Sequence, residues 1–129
     1  MTLEPGLTGH AAATVDDNRT AAALGSGDVP VLGTPVVVAL AEAAACAALA
    51  GRLEEGRTTV GTWIELDHVA PTPVGAEVTA RATLLAVDGR KLEFDFEVSD
   101  PAGVIARGRH RRAVVDRDSF LGNAEGRRR

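Results

Sequence analysis

A chain of 129 residues is long enough for one packed core and too short for two. Hydrophobic residues at 45% and charged residues at 25% are the proportions of a soluble globular domain. A net charge of −4 excludes the positive footprint that nucleic acid or anionic lipid requires. Cys46 is the single cysteine, so no disulfide forms within the chain, and the thiol reads as a small core hydrophobe in a reducing, cytoplasmic setting.

In chain order, residues 1–14 lack the basic start and apolar run of a secretory leader. Leu7 to Val15 reads as a first strand that stops at the turn-forming Asp16-Asp17-Asn18. The stretch from Val29 to Gly51 has the length to cross a bilayer, but Pro30, Pro35 and Glu42 make it a buried helix of a water-soluble domain. Gly33-Thr34-Pro35 opens that helix, with Thr34 as the cap and Pro35 in the first turn; the predicted helix runs from about 35 to 54 and ends before Gly56.

From Thr58 the period changes from helical to alternating, and four strands are predicted. In the first, Val60, Thr62, Ile64, Leu66 and His68 share one face, and Thr59, Gly61, Trp63, Glu65 and Asp67 the other. Pro71, Pro73 and Gly75 break the pattern before a strand from Glu77 to Val87. Asp88-Gly89 is a hairpin signal into Lys91 to Ser99, where Leu92, Phe94, Phe96 and Val98 alternate with charged residues. A turn at Asp100-Pro101-Ala102-Gly103 precedes a last strand from Val104 to Asp116, and the end of the chain is polar. The expected organisation is a single domain over residues 1–120 and a mobile C-terminal tail over 121–129.

One apolar helix followed by an antiparallel meander packs economically when the sheet curls around the helix. The expected class is therefore α+β with the hot-dog architecture, a long central helix wrapped by a curved antiparallel β-sheet. Open strand edges in such a domain favour edge-to-edge pairing of two copies, hence a homodimer.

Three residues stand out chemically. Glu42 is the only carboxylate between Asp28 and Arg52, and its helical neighbours Val38, Ala39, Ala45, Cys46 and Leu49 are apolar or small. A carboxylate in such a stripe must be paired, hydrogen-bonded or protonated, and each state alters its reactivity. His68 reaches the inward face of the next strand, where an imidazole suits acid–base work near neutral pH or simply fills the core. Thr34 is accounted for by capping, yet the same helix start offers backbone N–H groups and a positive dipole end to a carbonyl oxygen that becomes an oxyanion. The run Arg107, Arg109, Arg111 and Arg112, three of which alternate onto one strand face, is suited to phosphates or to cross-strand pairs with Glu93, Asp95 and Glu97. No Gly-rich phosphate loop, Cys/His zinc spacing or Gly-x-Ser-x-Gly elbow is present, so no metal or further cofactor is implied.

Gly33-Thr34-Pro35, Leu40 to Cys46, Gly61 to His68 and Pro71-Thr72-Pro73-Val74-Gly75 resemble, in order and spacing, the fluoroacetyl-CoA thioesterase-like branch of the hot-dog superfamily; the likeness runs from about Val29 to Phe120. Asp88-Gly89-Arg90 and the run Gly108 to Val114 share in it. The resemblance implies an acyl-CoA thioesterase acting on a short or small acyl group, with Thr34, Glu42 and His68 as the catalytic triad. Gly33, Arg109 and Arg111 are the expected substrate-binding residues. The fluoroacetate-specific member of that branch is known for aromatic gate residues just ahead of the Thr, and Leu24 to Pro30 contains none, so selectivity for a fluorinated acyl group is not implied. A hydratase on the same fold would place a His shortly after an Asp, which Asp28 lacks. The remaining alternative is a non-catalytic domain that binds or senses acyl-CoA.

Overall fold

The computed structural model describes residues 2–129. Strand β1 (Thr8–Thr14) is followed by a 3-10 turn at Asp17–Arg19, a four-residue helix α1 (Ala21–Leu24) and the main helix α2 (Thr34–Ala48). Four strands follow, β2 (Arg57–His68), β3 (Glu77–Asp88), β4 (Lys91–Asp100) and β5 (Gly103–Asp116), before a last helix α3 (Arg117–Glu125). Of these only β3-β4-β5 is a meander, because β2 pairs with β5 at the far edge and not with β3 as a four-strand meander would require. All pairings are antiparallel, in the order β1-β3-β4-β5-β2. The long helix lying against this single five-stranded sheet is the expected hot-dog architecture.

The core forms where the inward positions of β3 and β4 meet one side of α2. Val78, Ala80, Ala82 and Leu84 on β3, and Leu92, Phe94, Phe96 and Val98 on β4, are buried with Val37, Leu40, Ala41, Ala44, Ala45 and Ala48 on the helix. The alanines allow backbone to approach backbone. A Cβ on Gly9 of β1 would collide with the α2 main chain at Ala44 and Ala48, so only glycine fits there. The hairpin between β3 and β4 turns on Gly89-Arg90, and Gly89 supplies the positive φ of 61° that the tight loop demands.

Several expectations are corrected. α2 stops at Ala48 instead of continuing to about 54, because Gly51 takes a left-handed φ of 74° and the charged residues after it offer no apolar face. Cys46 is exposed, on the side of α2 turned away from the core. Thr34 does not cap: Gly33 is the N-cap residue, and Thr34 is the first helical residue, which frees its hydroxyl. A β-bulge between Gly61 and Trp63 reverses the alternation of β2. Ile64, Leu66 and His68 share the helix-facing side as expected, but so do Thr59 and Gly61, which parity had placed opposite. At the end of the chain, Asp116 caps α3 by accepting from the Ser119 N–H at 3.0 Å; α3 buries no residue. Among the described residues, no helix is long and apolar enough to cross a membrane.

Candidate active site

Thr34 and His68 arrive from opposite directions and meet. The hydroxyl of Thr34, exposed at the first turn of α2, lies 2.8 Å from Nδ1 of His68 at the last residue of β2. His68 is partly buried, and its Nε2 makes no hydrogen bond among the described residues. With the Thr34 hydroxyl donating to Nδ1, the ring proton sits on Nε2, which leaves Nδ1 able to take a proton from that hydroxyl. The helix start supplies fewer donors than expected: Pro35 has none, and the N–H groups of Val36 and Val37 lie 3.0 and 3.4 Å from the Gly33 carbonyl. Among the described residues the Thr34 N–H is the donor of that turn with no main-chain partner, backed by the positive end of the helix dipole.

Glu42 stands elsewhere. Two turns of unbroken helix separate it from Thr34 by about 12 Å along the axis. Its carboxylate lies 3.5 Å from Nη1 of Arg112 and directly over Gly61, where an added Cβ would come within 2.7 Å of it. Arg112 is only 7% exposed and is held from three sides: Nε donates to the Thr59 hydroxyl at 2.9 Å, Nη2 to the Thr59 carbonyl at 3.0 Å, and Nη1 meets Nε2 of His110 at 3.2 Å. His110 donates from Nδ1 to the Trp63 carbonyl at 2.9 Å. The result is a fixed guanidinium aimed at a half-exposed carboxylate beside the bulge of β2.

Burial holds the His110 imidazole below its ordinary value and the Arg112 charge adds to this, against the opposing pull of the Trp63 carbonyl and Glu42. The unfolded chain therefore binds a proton at His110 from about pH 6.5 downward, while the folded chain resists it until lower pH. The His110 contribution to folding stability is fully present above that value and is lost on acidification through the interval. Thermal midpoints are expected to fall as the pH drops below about 6.5, and His110→Gln is expected to flatten that limb of the profile.

Of the predicted site residues, the structure thus joins Thr34 with His68, and Gly33 caps the same helix turn. Arg109 and Arg111 stand on the opposite side of the sheet from His110 and Arg112, Arg109 at 3.8 Å from Glu93 and Arg111 with its guanidinium 4.2 Å from the centre of the Trp63 ring. Gly61, Thr59 and His110 were given no role from sequence, and Arg112 was read only as part of a basic run suited to phosphates, whereas it turns to the other face of β5 and meets Thr59 and Glu42. The parity of β5 carries the missing signal, because His110 and Arg112 fall in step with Gly108 and out of step with Arg107, Arg109 and Arg111.

The profile of the fluoroacetyl-CoA-specific thioesterase family, FlK, matches residues 15–118. The chain belongs to this family. It is 39% identical over 90 residues to the fluoroacetyl-CoA thioesterase of Streptantibioticus cattleyicolor, a match spanning 70% of this chain and 65% of that protein. The solved structure of the fluoroacetyl-CoA thioesterase FlK superimposes with a TM-score of 0.92 at 29% identity, covering all of both chains. A variant of FlK in complex with fluoroacetate and CoA gives a TM-score of 0.85 at 31% identity, over 92% of this chain and 99% of the other. A Thermus thermophilus thioesterase-superfamily protein at 22% identity and a TM-score of 0.89, over 96% and 92% of the two chains, shares the fold.

Proposed function

We propose that this member of the FlK family is an acyl-CoA thioesterase that hydrolyses a small acyl-CoA to the free acid and coenzyme A. The observation that carries the reading is the 2.8 Å contact between the Thr34 hydroxyl and Nδ1 of His68 at the start of α2. In the proposed reaction His68 takes the hydroxyl proton as Thr34 Oγ1 attacks the thioester carbonyl, and the carbonyl oxygen gathers negative charge beside the Thr34 N–H and the helix dipole. The C–S bond breaks, the imidazolium returns the proton to the departing thiolate, and water activated by the same imidazole hydrolyses the acyl-threonine ester. The coenzyme A thioester is the substrate, and the chemistry calls on no separate cofactor.

Glu42, Arg112 and Gly61 form the second half of the proposed site. The unpaired edge of β2 invites antiparallel pairing with a second copy, and such a two-fold arrangement runs the Gly61 end of one β2 against the His68 end of the other. The working enzyme is then a homodimer in which Thr34 and His68 face the partner subunit's Glu42. Leu24, Val29, Val69 and Val74, all exposed and apolar, belong to the segments that carry Thr34 and His68, and a short aliphatic acyl group suits such a rim. Arg109 and Arg111 remain candidates for the phosphates of coenzyme A, reached around the edge of the sheet. A reducing cytoplasm is the setting that supplies acyl-CoA and suits a free Cys46.

The test is free-thiol release from a panel of acetyl-, propionyl-, fluoroacetyl- and arylacetyl-CoA. Multiple turnovers on a small acyl-CoA are expected, and fluoroacetyl-CoA is expected to hold no large advantage over acetyl-CoA. Tight binding across the panel without turnover would replace the enzyme with an acyl-CoA sensor.

A further inference from the structure

The Thr34–His68 contact joins two segments that are not sequence neighbours, so something must set their separation. Residues 31–33, which lead into Thr34, are clamped on both sides. Ala21 N–H donates to the Val31 carbonyl at 2.8 Å and Gly33 N–H to the Arg19 carbonyl at 2.9 Å. On the other side Leu32 N–H donates to the Thr72 carbonyl at 2.9 Å, with Val31 bridging Pro73. Residues 69–73, which leave His68, form that second side. They are tied down by the Val69 N–H, 2.7 Å from the Ile105 carbonyl, and by Thr72. Thr72 is fully buried, and its hydroxyl donates to Oδ2 of Asp100 at 2.7 Å; Oδ1 of Asp100 accepts from the Ala102 N–H at 2.8 Å in the β4–β5 turn.

We propose that Thr72 and Asp100 are positioning residues, a hydroxyl–carboxylate latch that fixes the 69–73 segment to the β4–β5 turn and thereby sets the distance between Thr34 and His68. Neither side chain is among the groups that bond Thr34 or His68; both act through the Thr72 main chain, whose carbonyl orients Leu32 two residues before Thr34. The polar latch holds a segment with two prolines, Pro71 and Pro73, that has lost two N–H groups for main-chain anchoring. The Asp100 carboxyl is held below the ordinary carboxylate range, first by the Thr72 hydroxyl and then by the Ala102 N–H, so the latch stays charged wherever an imidazole can serve as base. A nucleophile and base held at 2.8 Å tolerate little displacement, since about 1 Å of misplacement lowers a rate up to about 100-fold.

This inference rests on the proposed hydrolysis by Thr34 and His68, and its test has one readout independent of turnover. Thr72→Val keeps the buried volume and removes the hydroxyl, Thr72→Ser restores it, and Asp100→Ala removes the acceptor from the other side. Thr72→Val and Asp100→Ala are expected to lower kcat about 10- to 100-fold with KM changed less than about twofold, and Thr72→Ser to stay near the parent. The ring ¹⁵N shifts of His68, measured without substrate, are expected to report one fixed tautomer in the parent and in Thr72→Ser, and a mixture in Thr72→Val and Asp100→Ala. Parental kcat and a fixed tautomer in either latch-breaking variant would overturn the proposal, as would a loss in Thr72→Ser equal to that in Thr72→Val. Should Thr72→Val fail to fold, Asp100→Ala decides alone. A parent that turns over no thioester sinks the hydrolase reading, and the nitrogen shifts still decide the latch.

Discussion

His68→Gln is expected to lower kcat for acyl-CoA hydrolysis about 10²- to 10⁴-fold, the range assigned to a positioned general base, with little change in thermal stability. Glutamine can still accept from the Thr34 hydroxyl, so the 2.8 Å contact has a neutral substitute, but an amide cannot store the proton that the hydroxyl must lose. Stability should hold because Nε2 of His68 already makes no hydrogen bond within the described chain, and its removal orphans no partner. Thr34→Val is expected to fall by a similar factor, and Thr34→Ser much less. The double variant Thr34→Val with His68→Gln should be no slower than the worse single variant, because two groups that move one proton act as a unit. Steady-state thiol release with each variant, alongside a thermal melt, checks all of this, and a near-parental rate in His68→Gln removes the imidazole from the mechanism.

The inward course of His68 was legible in the residues, its partnership with Thr34 only through the family resemblance, and the misreadings have physical causes. His68 was placed by strand parity, which holds over Ile64, Leu66 and His68 because that half of β2 is regular. The same parity failed for Thr59 and Gly61, since a bulge shifts the register by one residue and a glycine in a strand does not announce which neighbour will bulge. Glu42 was noticed for its apolar surroundings, but its partner was hidden in a basic run, where Arg112 looks like Arg109 and Arg111 until the register sorts them onto two faces. Thr34 illustrates a degenerate signal. Thr before Pro at a helix start is the pattern of a capping residue, and only tertiary contact with a strand ending 34 residues later shows the hydroxyl spent on an imidazole instead. Cys46 was misplaced because a run of alanines has no polar face by which to orient the helix, so the buried side, Val37 to Ala48, is decided by the sheet.

The bulge also sets the surroundings of Arg112 and Glu42. Gly61 leaves room for a carboxylate to rest on the strand, Thr59 takes two guanidinium donors of Arg112, and the third nitrogen is left to face Glu42 and His110. Burying an arginine is expensive unless its donors are satisfied, and here the satisfied side is the protein while the carboxylate it faces is half-exposed. That asymmetry turns the Glu42 side of the cluster toward solvent, the arrangement on which the proposed role of Glu42 rests.

Mixing two inactive variants is expected to restore activity if this second cluster serves the partner subunit. Thr34→Ala and Glu42→Gln homodimers should each retain at most about 1% of parental kcat, by analogy with the loss of a single essential group. Half of randomly assorted dimers carry one chain of each kind, and in a two-fold dimer with shared sites one of their two sites has lost both residues while the other keeps both. Recovery to about a quarter of the parental rate follows from that count. The physical basis is the straight course of α2: about 12 Å of unbroken helix keeps Thr34 and Glu42 of one chain apart, whereas antiparallel pairing along β2 brings the Gly61 end of one strand to the His68 end of the other. Light scattering on the mixture must report a dimer for the result to count. Dimers without recovery would place Glu42 in the same-chain site, spanned by the substrate alone, and a monomeric parent with full activity would remove the shared site altogether.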